Sequence, residues 1–177
     1  ELGAICPNGF KIEKNIKISK LVNDSIKKNK LFNNNYEFML RYIKVFEYSV
    51  NPFSAYIYRD SFAKKIIRNH SEGMVWSDAT YLMKLSSVCK ILWLKEPLIY
   101  YRIHNNSESS NENIIARLSL IRFVKKNYNV EKETLKQYKI YFALRYLLLD
   151  KRNNRRRKLY KKFIFFNSYY IIKLIPW

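Results

Sequence analysis

The run Ile91-Leu92-Trp93-Leu94 constrains this chain more than any other stretch. Four consecutive apolar residues, followed closely by Glu96-Pro97, read as a short buried strand. Upstream, Ser77 caps a helix over residues 78–85, whose sequence Asp-Ala-Thr-Tyr-Leu-Met-Lys-Leu opens on one acidic residue. Downstream, the proline marks a turn, and residues 99–103 form another strand leading into Tyr101-Arg102-Ile103-His104. A helix that feeds a buried strand calls for a layered α/β arrangement, in which each element covers the other's apolar side.

The flanking segments extend this pattern. Residues 2–6 read as a strand ended by the turn signal Pro7-Asn8-Gly9, and residues 10–18, alternating Lys with Ile, as a hairpin arm or exposed strand. Residues 23–35 are rich in Asn and Lys and read as a loop with a helical piece. Phe38, Leu40, Tyr42, Ile43, Phe46 and Val50 approach helical spacing over 36–50, and Asn51-Pro52 breaks that helix. Residues 53–58 read as an aromatic strand, and 62–68 as a helix capped by Asp60 or Ser61. From Asn111 the pattern is helical only, with Ile114, Leu118, Ile121 and Val124 in one segment and Leu135, Tyr138, Phe142, Tyr146 and Leu149 in the next. The expected organisation is an α/β part over 1–105 and an α-helical, basic extension over 106–177.

With 177 residues, 48% of them hydrophobic, the chain suits one domain with a small extension and is unlike a disordered polymer. Cys6 and Cys89 are too few for a disulfide scaffold and lie beside apolar residues, as buried thiols do. His70 and His104 have no zinc-ligand spacing.

Charge is uneven. The net charge is +20, of which residues 1–110 carry +7 and residues 111–177 carry +13. Such a field attracts polyanions, and nucleic acid and an anionic membrane surface are the two candidates. The tail separates them. Arg155-Arg156-Arg157-Lys158 precedes Phe163-Ile164-Phe165-Phe166 and a further aromatic and aliphatic run to Trp177. Basic residues followed by large apolar ones suit a helix lying in the membrane interface, with a buried C-terminal helix as the alternative. No aromatic platform motif for nucleic acid is present.

Three groups of residues carry possible chemistry. A carboxylate at a helix start, such as Asp78, sits among free N–H groups that favour its ionised form, which suits a general base. Locally, Ser77 and Asp78 also read as an ordinary cap and first turn. Arg102 and His104 could compensate a phosphate's charge, and His104 could ligate a metal, or the segment could be a solvated strand end. Trp76 could stack on a sugar face or belong to the core. His70 and Glu72 read as loop residues.

The order of these pieces resembles the second half of a family 2 glycosyltransferase, an enzyme of the Rossmann-like GT-A fold. The resemblance covers about residues 1–110 and rests on Asp78 with Leu82, Lys84 and Leu85, then Glu96-Pro97-Leu98-Ile99-Tyr100-Tyr101-Arg102-Ile103-His104 and Ser107 and Ser109. It implies that Asp78 is the base of an inverting transfer from a nucleotide sugar to a hydroxyl. It implies that Arg102 and His104 meet the donor diphosphate and its Mg or Mn ion. Phe53-Ser54-Ala55 resembles the family's strand before the acceptor helix, which makes Ser54 an acceptor-site candidate beside Trp76. Ser77 stands where the family usually shows Glu. The family's Asp-x-Asp metal motif is absent from the sequence, and the chain opens on Glu1. The chain is therefore expected to be the acceptor-side part of a longer enzyme, peripheral at the cytoplasmic face of a bacterial membrane, with a glycan or lipid-linked acceptor. A non-catalytic basic module or an inactive scaffold partner would be the alternatives.

Overall fold

A computed structural model describes residues 1–13, 16–44, 49–103 and 114–149. His104, Ser107, Ser109 and the basic tail lie outside these residues. The fold is mixed α/β, built on a five-stranded sheet with both parallel and antiparallel pairs. In chain order the elements are β1 (Leu2–Glu13), β2 (Ile16–Leu21), β3 (Lys30–Phe32), α1 (Asn35–Ile43), β4 (Ile57–Tyr58), α2 (Asp60–Ala63), α3 (Ser77–Leu85), β5 (Lys90–Ile103), α4 (Ile114–Asn127) and α5 (Lys132–Leu149).

The sheet order is β2-β1-β5-β3. β1 and β5 are parallel neighbours, paired from Leu2 with Lys90 to Glu13 with Ile103. Because β5 fills one edge of β1, the other edge is shared. β4 pairs antiparallel with Ala4 and Ile5, and β2 forms a hairpin with residues 10–13.

Two expectations about these strands need correction. Pro7-Asn8-Gly9 does not end a strand; it is a bulge within β1, where the register against β5 shifts. The Asn8 side chain replaces the missing ladder bonds: Oδ1 accepts from Gly9 N (2.9 Å) and Asn23 N (3.0 Å), and Nδ2 donates to Asn23 O (2.7 Å). Likewise Pro97 makes no turn. β5 runs through it, with Pro97 opposite Asn8, so that one bulge accommodates both turn-forming residues.

The region read as a loop holds β3, which pairs antiparallel with residues 91–93 of β5. Its Phe32 is buried and meets Trp93 and Phe38 edge-on, at centroid distances of 4.9 and 5.1 Å. Trp93 is fully buried, and its indole N–H donates to Tyr56 Oη at 2.6 Å. α1 starts at the cap Asn34, whose side chain accepts from Glu37 N (2.7 Å), and buries Phe38, Met39, Tyr42 and Ile43.

The aromatic segment 53–58 is a 3-10 turn over Phe53–Ala55 followed by the two-residue β4, not a full strand. α2 is one turn long, and Arg59 occupies its cap position. One compact unit spans Glu1–Tyr128 and includes α4, so the change to a helix-only pattern falls inside it. The second unit, from Asn129, contains α5, where the Tyr138 and Phe142 rings pack at 4.6 Å. Among the described residues no helix is long and apolar enough to cross a membrane.

Candidate active site

A cavity of about 420 Å³ opens in the first unit between the start of α3, the 3-10 turn after Pro52 and the far end of β5. Its wall brings together Ser54, Trp76 and Asp78, three residues selected from sequence, with Tyr42, Asn51, Phe53 and Tyr101.

Local geometry explains how Asp78 reaches this wall. Gly73 (φ +85°) and Met74 (φ +54°) turn the chain left-handed, and a 3-10 turn over Met74–Trp76 leads into α3. A Cβ on Gly73 would lie 2.9 Å from both Thr80 Cγ2 and the Trp76 carbonyl oxygen, so glycine is required both for the turn and for the approach. Ser77 does not cap the helix. It is the first helical residue, it is buried, and its hydroxyl lies 3.4 Å from both Arg68 Nη2 and His70 Nδ1. Asp78 follows in the first turn, where the helix dipole favours a negative charge.

Asp78 pairs through Oδ1 with Arg68, and the two side chains are 32% and 40% exposed. The Arg68 guanidinium also lies over the Phe53 ring, at 5.4 Å. From α4, the buried Arg117 lies over the Trp76 ring at 3.7 Å, a cation–π contact that fixes the indole. Asn51 anchors the cavity floor, donating to the carbonyls of Cys6 (3.2 Å) and Pro7 (3.3 Å) and accepting from Asn23 Nδ2 (2.9 Å).

Burial sets the protonation of the neighbours. The Tyr42 phenol is held far above its usual range, mainly by burial, with smaller contributions that include the Asp78 charge. Tyr58 is raised in the same way. Burial also pushes the Cys6 thiol up to about 12, against a hydrogen bond from Asn51, so this thiol is not a nucleophile near neutral pH.

Arg102 is placed differently. Tyr101 lines the cavity, whereas Arg102, the next residue of β5, is exposed and does not. Successive strand side chains point to opposite faces, which separates these two. Among the described residues no group of three or more His, Cys, Asp or Glu side chains forms a metal-ligating cluster. Sequence reasoning did not select Tyr42, Asn51 or Arg68 for the site; all three depend on chain crossings that have no local spacing. Comparison with protein-family models, with curated proteins and with solved structures gives no match.

Proposed function

We propose that this chain carries the acceptor side of an inverting glycosyltransferase of the GT-A type, which moves a sugar from a nucleotide-sugar donor to a hydroxyl. One observation carries the reading: a carboxylate, Asp78, in the first turn of α3 and on the wall of a largely apolar cavity that includes the rings of Tyr42, Phe53, Trp76 and Tyr101. In an inverting transfer the acceptor oxygen attacks the anomeric carbon from the side opposite the departing diphosphate. Its proton must leave as the new bond forms, and a carboxylate within hydrogen-bond reach takes it. Trp76 and Phe53, each with a cation over one ring face, line the cavity with apolar surface against which a sugar ring can pack, and the Ser54 hydroxyl is a hydrogen-bonding group on the same wall.

Arg102 and His104 are assigned to the diphosphate, whose growing charge needs donors of this kind. Mg or Mn is expected with the donor half of the reaction. Among the described residues no group of three or more His, Cys, Asp or Glu side chains forms a ligand set for such an ion. The charge of +13 over residues 111–177 supports a peripheral position on an anionic leaflet at the cytoplasmic face of the cell membrane. Synthesis of a bacterial surface polysaccharide on a glycan or lipid-linked acceptor fits that position.

A second reading, a non-catalytic basic module for polyanions, rests on the net charge of +20. The experiment that separates the two is an assay of the full-length protein with a panel of nucleotide sugars and Mg or Mn. Transfer to a hydroxyl with inverted anomeric configuration supports the enzyme. Absence of transfer with every donor, together with polyanion binding that falls steeply with salt, supports the module.

A further inference from the structure

Arg68, which pairs with Asp78, comes from the segment between α2 and the turn Met74–Trp76, to which the proposed reaction assigns nothing. Arg68 makes three contacts there: with Asp78 Oδ1, with Ser77 Oγ at 3.4 Å, and with the face of Phe53. A planar guanidinium held from several sides is a rigid fork, whereas an ammonium on a flexible stem is not. The segment is itself tied down. Glu72 pairs with Lys84 of α3, the Thr80 hydroxyl donates to the Glu72 carbonyl at 3.0 Å, and Gly73 N donates to Ser119 Oγ of α4 at 3.1 Å.

We infer that Arg68 is the positioning residue of Asp78: held by Phe53 and Ser77, it grips one carboxylate oxygen and thereby fixes the orientation of the carboxylate at the cavity wall. The inference rests on the reading of Asp78 as the base. It also accounts for Ser77, which stands where the resembling family usually carries Glu. A hydroxyl steadies the fork without a charge of its own, so the positive charge of Arg68 is directed to Asp78.

Among the described residues, the other titratable groups near Asp78 include His70, whose Nδ1 lies 3.4 Å from the Ser77 hydroxyl that also meets Arg68, Tyr42 from α1, Tyr58 from β4, and Tyr101, which shares the cavity wall from β5. Burial keeps Tyr42 and Tyr58 neutral through the range in which a carboxyl titrates.

The test needs no substrate. The Asp78 side-chain carboxyl is followed by carbon NMR through a pH titration, in wild type, Arg68→Gln and Arg68→Lys, with thermal melts alongside. The titration midpoint rises by about 1 unit in Arg68→Gln, the low end of what an adjacent arginine does, because the pair is partly exposed. It returns toward the wild-type value in Arg68→Lys, which restores the charge. An unmoved midpoint in a folded Arg68→Gln protein overturns the inference. Should that variant not fold, Ser77→Ala, which loosens the fork and keeps the charge, gives a smaller rise if the inference holds and none if it fails. In the transfer assay Arg68→Gln lowers kcat and leaves the donor KM unchanged; a change confined to KM counts against positioning. The two readings fail separately: normal transfer by Asp78→Asn refutes the base, whereas an unmoved midpoint refutes Arg68.

Discussion

The two ends of the β1–β5 pair are hydrogen-bonded alike and buried differently. Before Asn8 the pair is core: Ala4, Cys6, Ile91 and Trp93 are buried, and Trp93 packs on the rings of Phe32 and Phe38. Beyond it the same ladder continues to Glu13 and Ile103, but Leu98 is 67% and Tyr100 58% exposed. Ladder bonds hold both ends, while apolar burial is deep at one and partial at the other, where Phe10, Ile99 and Tyr101 are half-buried. The cavity opens where the cover stops. Asn51 and Pro52 reach it from beside Cys6 and Pro7, and Tyr101 reaches it from the far end. The bulge at Asn8 joins the two regimes.

The largest expected effect sets the two ends against each other. Trp93→Ala destabilises the chain by about 3–5 kcal/mol, whereas Leu98→Ala changes stability by about 0.5 kcal/mol or less, both read by chemical denaturation. Similar losses at the two sites would abolish the distinction. Asn8→Ala tests the junction: it orphans the buried amide and carbonyl of Asn23 and costs about 2–3 kcal/mol. A near-neutral result would show that the bulge holds without its side chain.

Alkaline pH probes the buried end by itself. The Cys6 thiol is raised in the folded protein from 9.0 to about 12, so its contribution to stability is fully present below pH 9 and is lost as the pH rises through about 12. Tyr42, Tyr56 and Tyr58, raised mainly by burial, act in the same direction. Melting temperature therefore falls above pH 9, and falls less in Cys6→Ala. An identical slope in that variant would remove Cys6 from the account. The last effect concerns the site's approach. Gly73→Ala, forced into a left-handed turn against Thr80 and the Trp76 carbonyl, costs about 1–3 kcal/mol. Amide exchange should localise that loss to the residues around Met74.

What the sequence revealed follows from the range of the forces involved. α3, α4 and α5 rest on apolar spacing within one segment, and each forms close to its expected limits, whereas α1, expected over 36–50, ends at Ile43 with Lys44 as its cap. β1 and β5 were expected to break at Pro7-Asn8-Gly9 and Pro97, because these residues favour turns when they stand alone. Side by side in one bulge, and bridged by an Asn8 side chain that reaches Asn23, they do not break the pair. β3 has three residues in an Asn- and Lys-rich stretch, too few to show a period, and its place comes from Phe32 packing on Trp93. Within the site, Asp78, Trp76 and Ser54 were legible and do meet at one cavity. Arg68 was not, because its contact with Asp78 is made by a loop folding back across Phe53.

The account stands or falls on Asp78. The decisive measurement is the transfer rate of full-length Asp78→Asn and wild type at saturating donor, with the melting temperature of each. A base at Asp78 requires at least a ~100-fold loss of kcat in the variant, the lower end of what a general base supplies, with little change in melting. Equal rates in two folded proteins would contradict it and take the carboxylate out of the reaction.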